Sequence, residues 1–424
     1  MESIFILGAG VTGLTSSYLL KDKYKLTILE KKDCLGGLCK SFEIDGFYFD
    51  YGAHAAFTKN IRVKKLLEKN VQYDVSISKA MNYKKEKWIK QPVQNNLYPL
   101  EIDEKIKIIK DFLLRQDDGN YCSYADWLEK KYGKYFADNY PRLYTKKYWT
   151  VKPEVLETKW IGPRMYTPSI EEVLLGSYVE ETPDVHYAGE IRYPNKGGFG
   201  QFLNRISNIE GVIYNVEIDE INPLEKYLCY NGEKMKYDRL ISTIPLPEII
   251  EKINNVPQAV RSAANNLNYT SLVVVSLGIS RKSIIPNGAK CFYVYDEDML
   301  ISRAYSTSAY GSNNAPDGCS TLQAEVYFSK FKPLNMSLED IKDRVIQEFT
   351  ELNLIQKEDI VVSDVRMEKY ANIVFTPNIY ENRKIVHDYL DSCDIYYAGR
   401  FGEWDYLWSD QSVLSGMKIA DTLS

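Results

Sequence analysis

The sequence has little of what several kinds of site require. Three histidines in 424 residues leave little material for a histidine-rich metal centre. The seven cysteines are scattered, odd in number and form no Cys-x-x-Cys pair, so we expect a reduced intracellular protein without structural zinc. The net charge of -5 argues against a broad phosphate-backbone footprint, and nucleic acid is not an expected partner.

Signals of secretion and membrane insertion are also missing. No run approaches about 18 uncharged apolar residues, so we expect no membrane span. The first three residues carry no basic stretch of the kind that precedes a signal peptide. These features predict a cytoplasmic protein, and its length predicts more than one lobe. Tyrosine, by contrast, is abundant at 34 residues, which suits a tyrosine-lined ligand cleft.

The chain opens with the pattern of a strand, a glycine turn and a helix. Residues 3–7 are an apolar run, residues 11–21 have helical spacing, and residues 25–29 form a second strand pattern. The defining positions between and after them are Gly8, Gly10, Gly13 and Glu30. In this arrangement the glycines let backbone N–H groups approach a pyrophosphate, and the acid accepts hydrogen bonds from a ribose diol. The pattern therefore predicts a dinucleotide-binding βαβ unit.

Two later glycine-containing segments extend this signature. Gly36 and Gly37 follow the acid, and residues 398–402 form a turn between a late strand and a terminal helix that starts at about Asp410. Together they resemble the FAD-binding families of the amine oxidase and protoporphyrinogen oxidase kind. The resemblance implies FAD as the cofactor, with the N-terminus of the terminal helix aimed at the isoalloxazine. The other residues assigned to the cofactor are Val216, Gly399, Arg400 and Gln411.

Five segments resemble a narrower family, the UDP-galactopyranose mutases of the eukaryotic type. They cover residues 88–97, 160–165, 191–200, 293–303 and 399–406. Residues 50–54, Asp-Tyr-Gly-Ala-His, also correspond to the loop whose histidine lies beside the flavin in that family. The resemblance extends as ordered islands from residue 4 to about residue 420, so it covers the whole fold.

What this resemblance implies is a redox-neutral reaction on a nucleotide sugar. UDP-galactopyranose, or a related sugar, is converted to its furanose form through attack of reduced flavin N5 on the anomeric carbon. Arg164 and Arg303 are implied to hold the departing diphosphate, each contributing about 1.5–3 kcal/mol, and His54 to lie near N5. The implied substrate-binding residues are Gln94, Asn95, Tyr293, Tyr406 and Asp410. The flavin has to be reduced first, and NAD(P)H is the expected reductant.

The implied fold is α/β. A Rossmann-like FAD-binding domain of the glutathione reductase type is interleaved with a substrate domain of mixed sheet and helices. The expected bounds are 1–60, 205–265 and 385–424 for the FAD-binding domain, 61–150 for a helical insertion, and 151–204 with 266–384 for the substrate-binding sheet domain.

Four departures from the mutase pattern leave the sugar and the nucleotide open. Gln91 and Val374 replace tyrosines, Pro163 interrupts the segment before Arg164, and Asp410 introduces a negative charge near the sugar or the flavin edge. One alternative is therefore an FAD-dependent oxidoreductase of the protoporphyrinogen oxidase or amine oxidase type, with an apolar or cation-accepting cleft. Another is a flavoprotein that binds a sugar nucleotide without turning it over.

Overall fold

The computed structural model describes residues 1–185, 189–282 and 284–424, with only the backbone described at Pro163. The strands are β1 (Ser3–Leu7), β2 (Lys25–Leu29), β3 (Ser41–Ile44), β4 (Phe47–Asp50), β5 (Tyr73–Ile77), β6 (Ala80–Lys84), β7 (Lys87–Lys90), β8 (Glu190–Pro194), β9 (Val212–Ile213), β10 (Ile218–Asn222), β11 (Tyr227–Tyr230), β12 (Glu233–Lys236), β13 (Arg239–Ser242), β14 (Asn268–Tyr269), β15 (Ser271–Ile279), β16 (Cys291–Val294), β17 (Arg303–Tyr305), β18 (Ser320–Phe328), β19 (Ile360–Glu368), β20 (Ile373–Val374) and β21 (Ile395–Tyr397). The helices are α1 (Val11–Leu20), α2 (Ile61–Leu67), α3 (Ile102–Leu114), α4 (Tyr124–Tyr132), α5 (Lys134–Asn139), α6 (Pro141–Tyr148), α7 (Ile170–Tyr178), α8 (Leu246–Lys252), α9 (Gln258–Asn265), α10 (Thr307–Tyr310), α11 (Leu338–Glu351), α12 (Ile379–Ser392), α13 (Gly399–Gly402) and α14 (Ser409–Leu423).

A five-stranded parallel sheet holds the glycine turn near the start of the chain. Its strand order is β21-β13-β1-β2-β9, so segments far apart in sequence lie side by side. The central strand β1 is buried, as its apolar sequence predicts. Helix α14 packs on α1, where the Thr12 hydroxyl donates to the backbone oxygen of Ser412 at 3.0 Å. The predicted α/β fold class is confirmed.

A seven-stranded mixed sheet forms the second layer. Its order is β19-β15-β18-β17-β16-β6-β7, and the pairing of β16 with β6 is parallel. One face packs against α11 through Ile341, Val345 and Phe349, which are fully buried. Because side chains alternate along a strand, Glu325 and Tyr327 of β18 point to the opposite face, toward the site described below.

The expectation of a helical insertion over 61–150 is wrong for residues 73–90. These residues form β5, β6 and β7, and β6 with β7 joins the edge of the seven-stranded sheet. The hairpin between them turns at Lys85 and Glu86, both at positive φ. Within a region that is Lys-, Glu- and Tyr-rich as a whole, this segment becomes strand through the pairing of β6 with β16, because strand formation depends on tertiary partners. Helices α2 to α6 occupy the rest of the region.

Among the helices in the described part of the chain, none is both long and apolar enough to cross a bilayer.

Candidate active site

The glycine turn after β1 is shaped for a close approach of backbone to a ligand. A side chain at Gly13 would place its Cβ 2.1 Å from the carbonyl oxygen of Gly8, so no residue larger than glycine fits there. A Cβ built on Gly10, in contrast, meets no atom within 4 Å, which leaves open space at the start of α1. The Gly36 N–H donates to the Ala9 carbonyl at 2.8 Å and brings the second glycine pair onto the first turn.

Glu30 lies directly beside this turn at the end of β2. Its carboxylate accepts hydrogen bonds from the backbone N–H of Ala9 at 2.7 Å and of Lys32 at 2.9 Å. This position suits the predicted ribose contact. Val216 lies next to the acid, but its N–H already donates to the Glu30 carbonyl at 3.0 Å. Its assignment to the cofactor stays a prediction.

The C-terminal glycine segment returns to the same turn. A Cβ at Gly399, which has φ of 79°, would lie 2.4 Å from the hydroxyl of Thr12 on α1. The next residue, Arg400, donates from Nη2 to Oδ1 of Asn372 at 2.7 Å. Gln411 accepts at Oε1 from the Trp408 N–H at 2.8 Å and so caps α14. Its predicted contact with the cofactor therefore competes with a structural role.

Two connected cavities form a cleft beside the seven-stranded sheet, whose strands β16, β17 and β18 contribute Tyr293, Arg303 and Glu325. The inner cavity, of about 220 Å³, is lined by residues that include His54, Glu325, Asn372 and Arg400. The outer chamber, of about 560 Å³, is lined by residues that include Gln94, Tyr124, Tyr132, Trp160, Arg164 and Tyr295. The residues common to both are Tyr148, Tyr293, Arg303, Tyr406 and Trp408. The cleft is therefore continuous, with aromatic walls at the outer end and more charged groups at the inner end.

The groups at the inner end of the cleft fit a flavin. Nε of Arg400 is a buried donor with no hydrogen-bond partner among the described residues. Such a donor is rare in folded proteins unless a bound group or water satisfies it. Together with the open glycine turn and the acid beside it, this donor provides sites for the two ends of FAD. The Gly8–Gly13 turn and Glu30 would hold its pyrophosphate and ribose, and Gly399 and Arg400 would lie at its ring.

His54 lies in the inner cavity as a neutral imidazole. Its Nδ1 is 2.8 Å from the Gly52 carbonyl oxygen, and because a carbonyl can only accept, Nδ1 carries the proton. Burial lowers the pKa of His54 to about 4. The bare Nε2 can therefore accept a hydrogen bond, but the ring supplies no positive charge near neutral pH.

Arg303 carries a built-in counter-ion that the sequence reasoning missed. It donates from Nε and Nη2 to the two carboxylate oxygens of Glu325, at 2.7 and 2.9 Å. Glu325 is fully buried and also accepts from the Ala53 N–H and the Tyr327 hydroxyl, each at 2.8 Å. Burial alone would lower the pKa of Arg303 and raise that of Glu325, but their mutual attraction reverses both shifts. The sequence signal that could have identified Glu325 is a single acid within the otherwise strand-like run 322–328.

Arg164 contacts two aromatic rings of the outer chamber. Its guanidinium carbon is 4.6 Å from the ring centre of Tyr406 and 4.5 Å from that of Trp408. It donates from Nη2 to the Tyr406 carbonyl at 2.6 Å and from Nη1 to the Trp160 carbonyl at 3.0 Å. The Tyr406 hydroxyl is 3.1 Å from that of Tyr148. The structure thus brings the two predicted arginines and Tyr406 to one cleft.

Not every predicted substrate residue reaches the cleft formed by the described residues. Gln94 lines the outer chamber, with its Nε2 donating to the Tyr166 carbonyl at 2.7 Å. Asn95 is buried away from both cavities, and Asp410, in the first turn of α14, lines neither of them.

Val374, which stands where the mutase family has a tyrosine, does not line the cleft. Val374 is fully buried in β20, where it pairs with Asn268. Asn372, two residues earlier, lines the inner cavity instead. Asn372 precedes β20 and is held by its backbone bonds to Thr270, so the sequence alone could not identify this residue.

Comparison with known proteins places the chain among flavoproteins. The family of flavin-containing amine oxidoreductases matches residues 11–421. The phytoene desaturase of Fusarium fujikuroi is 46% identical over 52 residues, which is 12% of this chain and 9% of that protein. An uncharacterised protein from the nifH2 3′ region of Methanothermococcus thermolithotrophicus is 45% identical over 53 residues, which is 12% of this chain and 51% of that protein. The chain therefore matches less than two thirds of either relative.

Solved structures resemble the chain over its full length. A reduced UDP-galactopyranose mutase superposes with a TM-score of 0.92 at 25% identity, covering 100% of this chain and 95% of that chain. A proposed protoporphyrinogen oxidase from Exiguobacterium sp. 255-15 gives 0.78 at 16% identity, covering 100% and 98%. A putrescine oxidase bound to putrescine gives 0.67 at 15% identity, covering 100% and 98%. The latter two likenesses show the fold alone.

Proposed function

The chain belongs to the family of flavin-containing amine oxidoreductases, and we propose that within it the protein is an FAD-dependent nucleotide-sugar mutase. The substrate would be UDP-galactopyranose or a related sugar, converted to its furanose form and back. Full-length similarity to a UDP-galactopyranose mutase at 25% identity supports this choice. NAD(P)H is the proposed reductant of the flavin.

The observation that carries the proposal is the convergence of Arg164 and Arg303 on one cleft. Both line the outer chamber, and Arg303 also lines the inner cavity where the flavin ring would lie. Guanidinium groups match the geometry of phosphate oxygens and form charge-assisted hydrogen bonds with them. Arg164, Arg303 and Arg400 outnumber the two acids that line the cleft, Glu325 and Asp184, so an ammonium group would add to a net positive charge. A nucleoside diphosphate is therefore the better match for the charges of this cleft.

FAD, when bound and reduced, supplies a nucleophilic nitrogen for the anomeric carbon of the sugar. The protein has to hold the diphosphate while it leaves and until it returns. Arg164 is suited to this, because stacking and two backbone carbonyls fix its plane before any ligand binds. His54 can accept a hydrogen bond at Nε2 from a group on the ring or the sugar.

Arginine replacements test this proposal on the holoenzyme. We expect Arg164→Ala and Arg303→Ala each to weaken UDP binding by about tenfold to a hundredfold and to reduce isomerisation strongly, since each loses a charge-assisted bond. FAD should remain bound, as judged by the visible flavin absorbance. Arg281→Ala is the matched control, because this arginine is paired with Asp359 outside the cleft.

If both cleft variants bind UDP and turn over like the unaltered protein, the proposal is wrong. Bleaching of the flavin by an amine or another reducing substrate, without isomerisation of any nucleotide sugar, would favour the oxidoreductase alternative. Tight UDP binding without turnover in the reduced protein would favour the non-catalytic one.

A further inference from the structure

Asn372 has a side chain whose two ends are used differently. Its Oδ1 accepts hydrogen bonds from Nη2 of Arg400 at 2.7 Å and from the Tyr148 hydroxyl at 3.4 Å. Because a guanidinium can only donate, the oxygen of the amide must face Arg400. The amide nitrogen, Nδ2, then points away from Arg400, and it has no hydrogen-bond partner among the described residues.

The backbone of this residue is held as firmly as its side-chain oxygen. The Asn372 N–H donates to the Thr270 hydroxyl at 3.1 Å, and its carbonyl accepts from the Thr270 N–H at 2.8 Å. Only 4% of the residue is exposed, yet it lines the inner cavity. A donor that is buried, fixed in direction and unsatisfied is one that a bound acceptor is expected to complete.

The order of residues along the cleft indicates which acceptor this is. Arg164 lines the outer chamber alone, Arg303 lines both cavities, and Asn372 lines the inner cavity alone. A diphosphate held between the two arginines leaves the hexose on the side of Asn372. Resting on the proposed function, we propose that Asn372 is a specificity-determining residue that donates from Nδ2 to an oxygen of the hexose.

This role follows from the chemistry of the amide and not from its size. Since Arg400 fixes the orientation, the residue presents a donor to the sugar and cannot present an acceptor by flipping. It therefore favours a sugar with an oxygen acceptor at this point over one that carries hydrogen or an alkyl group there.

Two variants separate the donor from the rest of the side chain. Asn372→Asp keeps an oxygen for Arg400 and Tyr148 but removes the donor, and Asn372→Leu removes the amide without adding charge. For both holoenzymes, the dissociation constants of UDP and of UDP-galactose are measured. We expect Asn372→Leu to bind UDP within about twofold of the unaltered protein and UDP-galactose about tenfold more weakly, the loss of one hydrogen bond to the sugar. The charge added by Asn372→Asp weakens the binding of both ligands, and in that variant we expect UDP-galactose to lose about tenfold more affinity than UDP.

The control is another buried asparagine close by in the fold. Asn268 is 9% exposed, pairs with Val374 of β20 and lies outside the cleft. Asn268→Asp should leave both dissociation constants unchanged. Thermal unfolding and the FAD content of all variants show whether the fold and the cofactor are retained.

Three results would overturn the inference. Equal weakening of UDP and UDP-galactose would show that the donor serves the diphosphate. Loss of FAD or a changed flavin spectrum, with both affinities intact, would identify the flavin as the acceptor. Unchanged affinity for both ligands would show that Nδ2 contacts neither. If the unaltered protein binds no UDP at all, the proposed function itself fails and the inference fails with it.

Discussion

The buried carboxylate of Glu325 controls how much positive charge Arg303 presents to a ligand. Glu325 is fully buried, and 20% of the Arg303 side chain is exposed, so the pair is largely removed from water. Glu325→Gln removes the negative charge at nearly constant volume. Breaking one partner of a buried ion pair costs about 3–5 kcal/mol, and we expect the lower end because Arg303 retains some contact with the cleft.

The same change should strengthen the binding of a diphosphate. The Glu325 carboxylate repels a phosphate bound on the far side of the guanidinium. At about 8 Å and an effective dielectric constant of about 20, this repulsion is about 2 kcal/mol for each phosphate charge. Part of the gain is lost, because Arg303 is oriented by its two bonds to the carboxylate. We therefore expect UDP to bind about tenfold more tightly to Glu325→Gln, although the unliganded protein unfolds more easily.

Two assays test the expected loss of stability and the expected gain in UDP affinity. Chemical denaturation of the holoenzyme measures the loss of stability, and calorimetric titration with UDP measures the affinity. Glu348→Gln is a matched control, because Glu348 is also fully buried, is bonded to Arg344 at 3.1 Å, and lies on α11 away from the cleft. The Glu348→Gln protein should be less stable than the unaltered protein but bind UDP with unchanged affinity. Weaker UDP binding by Glu325→Gln than by the unaltered protein would refute the charge argument and assign to Glu325 a purely orienting role.

Two further changes have expected outcomes. Burial lowers the pKa of Lys147 from 10.5 to about 7, so the unfolded chain binds more protons between these values and stability rises with pH there. Denaturation of Lys147→Met should therefore show a gain in unfolding free energy that is largest below pH 7 and lost by about pH 10. Gly13→Ala should abolish FAD binding, because its Cβ would meet the Gly8 carbonyl oxygen at 2.1 Å, and the purified protein should lack flavin absorbance.

Each of these outcomes has a counterpart that would contradict it. A stability difference between Lys147→Met and the unaltered protein that does not depend on pH would show that folding does not lower the pKa of Lys147. Gly189→Ala is the control for the glycine turn, since a Cβ at Gly189 meets no atom of the described residues within 4 Å. If Gly13→Ala retains FAD as Gly189→Ala does, the turn is not the cofactor site.

The first βαβ unit could be predicted closely because its signals are local. Three glycines and an acid at fixed spacing place β1, α1 and β2, and the structure has them at Ser3–Leu7, Val11–Leu20 and Lys25–Leu29. Residues 73–90 were misjudged because β5 and β6 pair with β8 and β16, which lie more than a hundred and some two hundred residues away in the chain. Local composition carries no information about such distant pairings.

Residues of the site could be predicted where a sequence motif marks them. They could not be predicted where packing across the fold decides which side chain faces the cleft. Arg164 and Arg303 were found through resemblance, and the structure places both at the cleft. Glu325 and Asn372 were missed, because one is a lone acid in an apolar strand and the other is placed in the cleft by its hydrogen bonds to Thr270, about a hundred residues away in the chain. Their importance follows from contacts across the fold, which no single stretch of sequence contains.

The proposed mutase activity is tested most directly by anaerobic incubation of the FAD-bound protein with UDP-galactose, once oxidised and once reduced. Chromatography then separates the nucleotide sugars. We predict that the reduced protein forms a new UDP-hexose isomer until equilibrium is reached, and that the oxidised protein forms none. Absence of any isomer from the reduced, FAD-bound protein, with UDP-galactose and with other nucleotide sugars alike, would contradict the assignment.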